Sequence, residues 1–317
     1  RGTIPKPGKV QVGDETVAAK DILIATGSDP AGLPDVTIDE EVVLTSTGAL
    51  ALSRVPEHLV VIGAGVIGLE LGQVWARLGA KVTVVEYLDR ILPGADGEIA
   101  RTAQRLLQRQ GLAFQLGRKA SVAREGAKAT VTLERRDTGA VETLDADAVL
   151  VAIGRRPRTA GLGLEALGVA LDPRGFIAVD GQFRTNVPGI LAIGDVVPGP
   201  MLAHKAEHEG VICVEKIAGL AHVSPLDVNR IPACTYSHPQ VASLGLTEHK
   251  ARARGLEVRT GTFPFAANGK AIAMRQEDGI VKTVFDATTG ELLGAHMIGS
   301  DVTELIQGYA TAMSAEA

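Results

Sequence analysis

The sequence predicts an α/β protein in which a doubly wound unit with parallel strands is followed by a smaller α+β domain. Three apolar runs, "ILIATGS", "VLVAIGR" and "ILAIGD", each reach a glycine, as strands buried in a parallel sheet do. The stretch 60–86 has the pattern strand, turn, helix, strand. From about residue 231 the pattern changes to shorter strand-like segments and a final helix in "VTELIQGYATAM", which indicates an antiparallel sheet with helices.

The composition limits the classes of protein to consider. A chain of 317 residues that is 45% apolar and 22% charged fits two or three globular domains. The net charge of −5 gives no reason to expect nucleic acid or an anionic membrane as a partner. No apolar run approaches the roughly 18–20 residues of a membrane helix. Cys213 and Cys234 are too few for a disulfide framework and too far apart for a CxxC-type pair, and we expect Cys213 to be buried.

The elements of the doubly wound unit can be placed in order. "LVVI" is the first strand, 66–78 has apolar residues at helical spacing with Gly79 as its cap, and "VTVV" is the second strand. Residues 96–111 predict an amphipathic helix that ends at a glycine. Residues 129–154 predict a hairpin with its turn at 137–140, leading back into a buried strand.

Three glycines follow the first strand in the pattern GxGxxG. Gly63 permits the tight turn, Gly65 lets the backbone approach a pyrophosphate, and Gly68 lets the helix pack closely on the strand. The pyrophosphate then rests on free N–H groups at the positive end of the helix. The pattern therefore predicts a Rossmann-like domain that binds a dinucleotide.

The acid at the end of the second strand bears on which dinucleotide is bound. Glu86 lies where a carboxylate can accept hydrogen bonds from the adenosine ribose hydroxyls. No arginine follows within two residues to receive a 2′-phosphate, so we predict NAD. Arg90 is close enough in sequence that binding of NADP stays an alternative.

The three glycine-ended runs have two interpretations. Ligands of open α/β sheets lie beyond the carboxyl ends of the strands, so these runs indicate either three strand ends near a cofactor or three ordinary turns.

Nearly the whole chain resembles the pyridine nucleotide–disulfide oxidoreductases. The resemblance rests on "LIATGS", "GAGVIGLELGQVWARLGAKVTVVE", "LVAIGRRPRT", "FRTNVPGILAIGDVVPGPMLAHKAEHEGV" and "IPACTYSHPQVASLGLTE", which follow the family's order. An acid rather than arginine at the end of the second strand is similar to the dihydrolipoamide dehydrogenase branch. That branch implies an oxidoreductase that passes electrons from dihydrolipoyl groups through a disulfide and FAD to NAD⁺.

The resemblance implies a domain order. Residues 1–31 would be the tail of an FAD-binding domain and residues 32–157 the NAD-binding domain. Residues 158–226 would return to the FAD and central domain. Residues 227–317 would form an α+β dimerisation domain that is incomplete at its C-terminal end. The implied fold is thus a doubly wound NAD domain with a remnant of the FAD domain and a dimerisation domain.

The resemblance also implies contacts to each cofactor. On the NAD side it adds Glu70, near the nicotinamide and flavin N5, and the backbone at Ala120 and Gly154. Asp195 would bond the ribityl chain of FAD, and the helix that opens at 201–204 would point its positive end at the flavin pyrimidine edge. The full FAD set is Thr26, Gly27, Ser28, Asp195, Met201, Leu202, Ala203 and His204.

Three segments of the family are not found in this sequence: the first FAD fingerprint, the CxxxxC redox disulfide and the C-terminal His–Glu pair. We therefore expect a fragment that has no catalytic residue, is inactive alone and loses or only partly keeps FAD. No metal site is expected. The alternatives are a related flavin disulfide reductase, a transhydrogenase, or an NAD-binding and dimerisation module without a redox centre.

The resemblance implies two partners. One is a second copy of the chain in a homodimer, and the other is the lipoyl-bearing acyltransferase of a 2-oxo acid dehydrogenase complex. The expected location is the bacterial cytoplasm or an organellar matrix.

Overall fold

The computed structural model describes residues 2–315 and divides into two compact units. The first unit combines the residues up to 29 with residues 155–228. The second combines residues 30–154 with the chain from 229 onward.

Strands outnumber α-helices among residues 2–315. The strands are β1 (Gly2–Lys6), β2 (Lys9–Val12), β3 (Glu15–Ala18), β4 (Ile22–Ile24), β5 (Ser28–Pro30), β6 (Val43–Leu44), β7 (His58–Ile62), β8 (Lys81–Val85), β9 (Ala113–Gln115), β10 (Arg118–Glu125), β11 (Lys128–Arg135), β12 (Val141–Ala146), β13 (Ala148–Val151), β14 (Arg155–Pro157), β15 (Ile190–Ala192), β16 (Ala233–Thr235), β17 (Gln240–Gly245), β18 (Val258–Pro264), β19 (Ile280–Asp286) and β20 (Leu292–Gly299). The α-helices are α1 (Ser46–Ala51), α2 (Val66–Arg77), α3 (Gly97–Arg109), α4 (Ala203–Ile217), α5 (Glu248–Ala253), α6 (Gly269–Ala273) and α7 (Val302–Ser314).

The first unit is built on short strands and one long helix. β1, β2 and β3 form an antiparallel meander, while β4 and β15 pair in parallel. Two of the three glycine-ended runs are therefore neighbours, because they supply β4 and β15. Ile22, Ile24 and Ile190 from this pair are buried together with Ile177. Cys213 of α4 is also fully buried, as the sequence predicts.

A five-stranded parallel sheet forms the centre of the second unit, in the order β6-β13-β7-β8-β9. Alternate residues of β7 point to opposite faces, as in any strand. Leu59 and Val61 pack in a core with residues of α2 and α3, while Val60 and Ile62 pack with Val131 and other residues of the β10-β11-β12 sheet. Both faces are covered, which explains the continuous apolar strands of this segment.

The sequence patterns place these elements correctly. The helix predicted at 66–78 is α2, and Gly79 follows it with a φ of 110°. The helix predicted at 96–111 is α3, with Asp96 as its N-cap: its side chain accepts a hydrogen bond from the N–H of Glu98. β11 and β12 form the predicted hairpin, which leads into buried β13.

The second sheet of this unit has the order β16-β17-β20-β19-β18 and is antiparallel throughout. α7 packs on it through Val302 and Ile306, which lie in one core with Leu244 and Met297. The α+β character predicted for the last part of the chain is confirmed. No helix within residues 2–315 is long and apolar enough to cross a membrane.

Candidate dinucleotide-binding site

The glycine loop, the GxGxxG segment that joins β7 to α2, has no space for a side chain at two of its three glycines. Gly63 has a φ of 109°, and a Cβ there would lie 2.3 Å from the carbonyl oxygen of Ala152 on the neighbouring strand end. A Cβ at Gly68 would lie 2.0 Å from the carbonyl oxygen of Gly63. These close approaches fix the turn and the packing of α2, as the spacing of the glycines predicts.

Gly65 differs from the other two glycines because it faces open space. It is the N-cap of α2, and a Cβ built on it would meet no atom within 4 Å in the part of the chain that the structure describes. The first N–H groups of a helix have no intrahelical partners and carry a positive partial charge. The open space over Gly65 therefore fits an anionic group such as a pyrophosphate.

The loop opens into a cleft of about 940 Å³ at the carboxyl ends of β7, β8 and β13. Five of the residues predicted to contact NAD line this cleft: Gly63, Gly65, Glu86, Ala120 and Gly154. Gly68 is not among the lining residues, because it packs beneath the loop. A volume of this size is within the range of small-molecule sites.

The carboxylate of Glu86 accepts hydrogen bonds from two backbone N–H groups. Its Oε2 accepts a hydrogen bond from the N–H of Ala64 at 2.7 Å, and its Oε1 accepts one from the N–H of Leu88 at 2.9 Å. The sequence predicts a carboxylate at this place but not these two bonds. Each carboxylate oxygen still has a lone pair free for a further donor. Glu86 can thus hold the glycine loop and accept a ligand hydroxyl at the same time.

The rim near Glu86 carries one aromatic and two basic side chains that the sequence patterns did not predict as ligand contacts. Tyr87 lines the cleft, and the guanidinium of Arg136 stacks 4.0 Å from the centre of its ring. Arg118 and Lys119 also line the cleft. Arg118 forms an ion pair with Glu142, with 3.2 Å between Nη2 and Oε1. An aromatic residue directly after the strand-ending acid was the available signal for Tyr87.

Arg90 and Glu70, the two other residues that the sequence relates to the dinucleotide, do not line this cleft. Arg90 does not line it and donates a hydrogen bond to the carbonyl oxygen of Pro93 at 2.8 Å. Glu70 accepts a hydrogen bond from the N–H of Tyr236 at 2.6 Å and does not line the cleft either. Burial raises the pKa of the Glu70 carboxyl, and the bond from Tyr236 opposes that shift in part.

The residues predicted to contact FAD lie in the first unit. Asp195 follows β15, and its Oδ2 accepts a hydrogen bond from the hydroxyl of Ser28 at 2.5 Å. The same hydroxyl accepts a bond from Nε of Arg155 at 2.6 Å. Thr26 donates to the carbonyl oxygen of Arg158 at 2.7 Å, and Gly27 accepts from the N–H of Arg158 at 2.9 Å. Hydrogen bonds therefore hold Ser28 to Asp195, and hold both Thr26 and Gly27 to the backbone of Arg158.

The remaining predicted FAD contacts, 201–204, form the start of α4. Leu202 is the N-cap and supplies no side-chain hydrogen bond to the helix, so among the described residues this helix end has no side-chain cap. Its first N–H groups are suited to an electron-rich ligand atom. The sequence gives no sign of the buried ion pair between Lys205 and Glu209, in which Lys205 Nζ lies 2.9 Å from Glu209 Oε1. No group of His, Cys, Asp or Glu within residues 2–315 could hold a metal ion.

Residues 1–210 match the pyridine nucleotide-disulphide oxidoreductase family, and residues 231–317 match the dimerisation domain of that family. The chain belongs to the pyridine nucleotide-disulphide oxidoreductases. FAD and NAD are the cofactors of the dihydrolipoyl dehydrogenases in this family.

Relatives in bacteria and mitochondria share about half of the sequence. Dihydrolipoyl dehydrogenase 3 of Pseudomonas aeruginosa is 53% identical over 302 residues, which are 95% of this chain and 64% of that protein. The mitochondrial dihydrolipoyl dehydrogenase of Homo sapiens is 48% identical over 309 residues, 96% of this chain and 60% of that protein. The chain thus spans less than two thirds of the length of these two relatives.

Solved structures show the same fold at lower sequence identity. LpdA from Mycobacterium tuberculosis has a TM-score of 0.89 and 30% identity, with 100% of this chain and 70% of that chain covered. The HOCl-induced flavoprotein disulfide reductase RclA from Escherichia coli has a TM-score of 0.88 and 28% identity, with 99% and 72% covered. The predicted fold class is therefore confirmed for residues 2–315.

Proposed function

We propose that this chain is the NAD-binding, FAD-contacting and dimerisation region of a dihydrolipoyl dehydrogenase. The observation that carries the proposal is the identity of about half the residues with dihydrolipoyl dehydrogenases, over a chain whose glycine loop and Glu86 frame an open cleft. Identity with the disulfide reductase RclA is lower, at 28%, which favours the dihydrolipoyl substrate over other disulfides.

The cleft would hold NAD through the backbone of the loop and through Glu86. The pyrophosphate would lie over Gly65, where the chain leaves open space at the positive end of α2. Glu86 would accept hydrogen bonds from the adenosine ribose, and Ala120 and Gly154 would contribute backbone along the wall. The Glu86 carboxylate would repel a 2′-phosphate, which favours NAD over NADP.

The first unit would hold part of FAD through Asp195 and the start of α4. Bound FAD supplies two-electron redox chemistry, and bound NAD⁺ supplies a hydride acceptor. Asp195 is fixed by Ser28 and would accept a bond from a ribityl hydroxyl. The start of α4, with the backbone of Met201, Leu202, Ala203 and His204, would stabilise negative charge on a reduced flavin.

Neither cysteine is suited to the dithiol step. Burial raises the pKa of the Cys213 thiol, which lies in the core of the first unit. Burial, assisted by Glu304 and Glu70, raises the pKa of the Cys234 thiol in the second unit. The thiolate is the reactive form, so the raised pKa disfavours reaction at both cysteines. We therefore expect the chain by itself not to oxidise dihydrolipoamide.

The proposed assembly is a homodimer formed through residues 231–317, which match the dimerisation domain. The proposed partner of the whole enzyme is the lipoyl-bearing acyltransferase of a 2-oxo acid dehydrogenase complex. The proposed location is the bacterial cytoplasm or an organellar matrix, because the relatives include proteins of bacteria and proteins named as mitochondrial.

Titration calorimetry with NAD and NADP tests the proposed cofactor. We expect saturable NAD binding that is tighter than NADP binding, and sedimentation as a dimer at micromolar concentration. The purified protein should carry less than one FAD per chain. It should take up added FAD, which is seen as an absorption band at about 450 nm, a general property of flavins. A chain that binds neither NAD nor FAD, or that prefers NADP, would contradict the proposal.

A further inference from the structure

Helix α4 carries an ion pair that is buried away from solvent. Lys205 and Glu209 lie one helical turn apart, and their side chains are only 1% and 4% exposed. Lys205 Nζ lies 2.9 Å from Glu209 Oε1. Removing two charges from water is unfavourable, and an apolar pair of similar volume often stabilises a core as well. The position of this pair therefore calls for a reason other than stability.

Both members of the pair also bind the backbone of Gly194. Oε2 of Glu209 accepts a hydrogen bond from the N–H of Gly194 at 2.7 Å. Nζ of Lys205 donates to the carbonyl oxygen of Gly194 at 3.2 Å. Gly194 has a φ of 75°, in the left-handed region that favours glycine. Because glycine has no side chain, Gly194 cannot restrain this turn by contacts of its own. The ion pair locks it instead, from the amide and from the carbonyl.

The locked turn connects the two groups of residues proposed to contact FAD. Asp195 follows Gly194 directly and is bonded to Ser28. Lys205 is in the first turn of α4, beside 201–204. One ion pair thus links the turn that carries Asp195 to the start of α4. If the link were loose, each group would have to be ordered separately when a ligand meets both.

We infer that Lys205 and Glu209 are positioning residues for the flavin. They hold Asp195 and the start of α4 in one fixed arrangement, so that a single flavin meets both without further ordering of the protein. This inference rests on the proposed FAD contacts. A pair with a purely structural role would change stability and leave flavin affinity and flavin environment as they are.

Two double variants of equal charge separate these roles in the full 317-residue chain. Lys205→Met with Glu209→Gln keeps an oxygen that can accept the bond from Gly194 N–H. Lys205→Met with Glu209→Leu removes that oxygen. Glu207→Gln is the matched control, because Glu207 lies exposed on the same helix. The measurements are FAD affinity by calorimetry, visible circular dichroism of the added flavin and hydrogen exchange at the Gly194 amide. Far-ultraviolet circular dichroism and thermal unfolding, measured beside them, report whether the first unit, which holds both residues, is folded. NAD affinity reports the same for the second unit.

We expect the Leu double variant to bind FAD at least tenfold more weakly than wild type and to exchange the Gly194 amide faster. The Gln double variant should fall between them with an altered flavin dichroism, and Glu207→Gln should match wild type. If the Leu variant does not fold, the Gln variant decides the question, with a loss of at least threefold expected. FAD affinity within twofold of wild type and unchanged dichroism in the Gln variant would overturn the inference while leaving the proposed function intact. A wild-type chain that binds NAD but takes up no FAD would overturn the flavin contacts themselves, and the inference with them.

Discussion

Replacing Glu86 tests the NAD cleft and the loop above it together. In Glu86→Ala the N–H of Ala64, which is fully buried, loses its partner at 2.7 Å. A hydrogen bond to a charged group contributes about 1.5–3 kcal/mol, so the free energy of unfolding should fall by about that amount. The N–H of Leu88 adds less, because Leu88 is 39% exposed and water can replace its bond.

The same change should weaken NAD binding. Each hydrogen bond from a ribose hydroxyl to the carboxylate is charge-assisted, and losing about 1.4 kcal/mol lowers affinity tenfold. We therefore expect at least about a tenfold loss of NAD affinity in Glu86→Ala by calorimetry. NADP should lose less or gain, because the like-charge repulsion of the 2′-phosphate disappears.

Glu86→Gln separates the cofactor contact from the support of the loop. Its single amide oxygen can still accept the bond from Ala64, so unfolding in urea should show a smaller loss of stability than in Glu86→Ala. The NADP-to-NAD affinity ratio should still rise, because the negative charge is gone. Unchanged NAD affinity in Glu86→Ala, or tighter NADP than NAD binding in wild type, would refute the assignment of Glu86 and with it the choice of NAD.

Three further expectations concern the second unit. Lys282→Met should lower the free energy of unfolding by about 3–5 kcal/mol in urea, because it leaves the 3%-exposed carboxylate of Asp96 without its counter-ion at 3.1 Å. Burial would raise the pKa of Asp96, but hydrogen bonds from a backbone N–H of α3 and from Lys282 outweigh it and lower the pKa. The stability that this lowered pKa provides is present above the unfolded pKa of the carboxyl and is lost as pH falls through the folded pKa. As the pH is lowered from neutral to acidic, the urea midpoint should therefore fall less in Lys282→Met than in wild type. Gly68→Ala should destabilise the protein by about 1–3 kcal/mol, because its Cβ would lie 2.0 Å from Gly63 O. Gly65→Ala should keep wild-type stability and weaken NAD binding, because its methyl group would point into the open space; equal effects of the two alanines in thermal unfolding and calorimetry would contradict this.

Local patterns were sufficient to predict the parts of the molecule that neighbouring residues decide. The glycine spacing, the apolar periodicity of α2 and the glycine after it all act over one or two turns of chain. The position of Glu86 at the end of β8 follows from the same local pattern. These features need no knowledge of which distant segments meet.

Features that depend on distant segments were not predicted. Lys282 binds Asp96 across 186 residues of sequence, and a lysine in a strand gives no sign that it will be buried. Lys205 gives no such sign in its helix either, although it is among the most buried side chains. Glu70 was placed near the nicotinamide by resemblance, and the structure shows its bond to Tyr236, so its role at the cofactor stays a prediction.

The parallel pairing of β4 with β15 has a consequence for the order of folding. Ser28 and Asp195, just beyond these strands, are 167 residues apart in sequence. At the usual rate of about 5–20 residues per second, the ribosome needs on the order of ten to thirty seconds to make the chain between them. The five-stranded parallel sheet of the second unit, β6 to β13, is complete within that interval, because β4 is made before β6 and its parallel partner β15 is made after β13. The β4–β15 pair can therefore form only after that sheet has been made, and the edge of β4 that β15 covers stays open to chaperones and to aggregation until then.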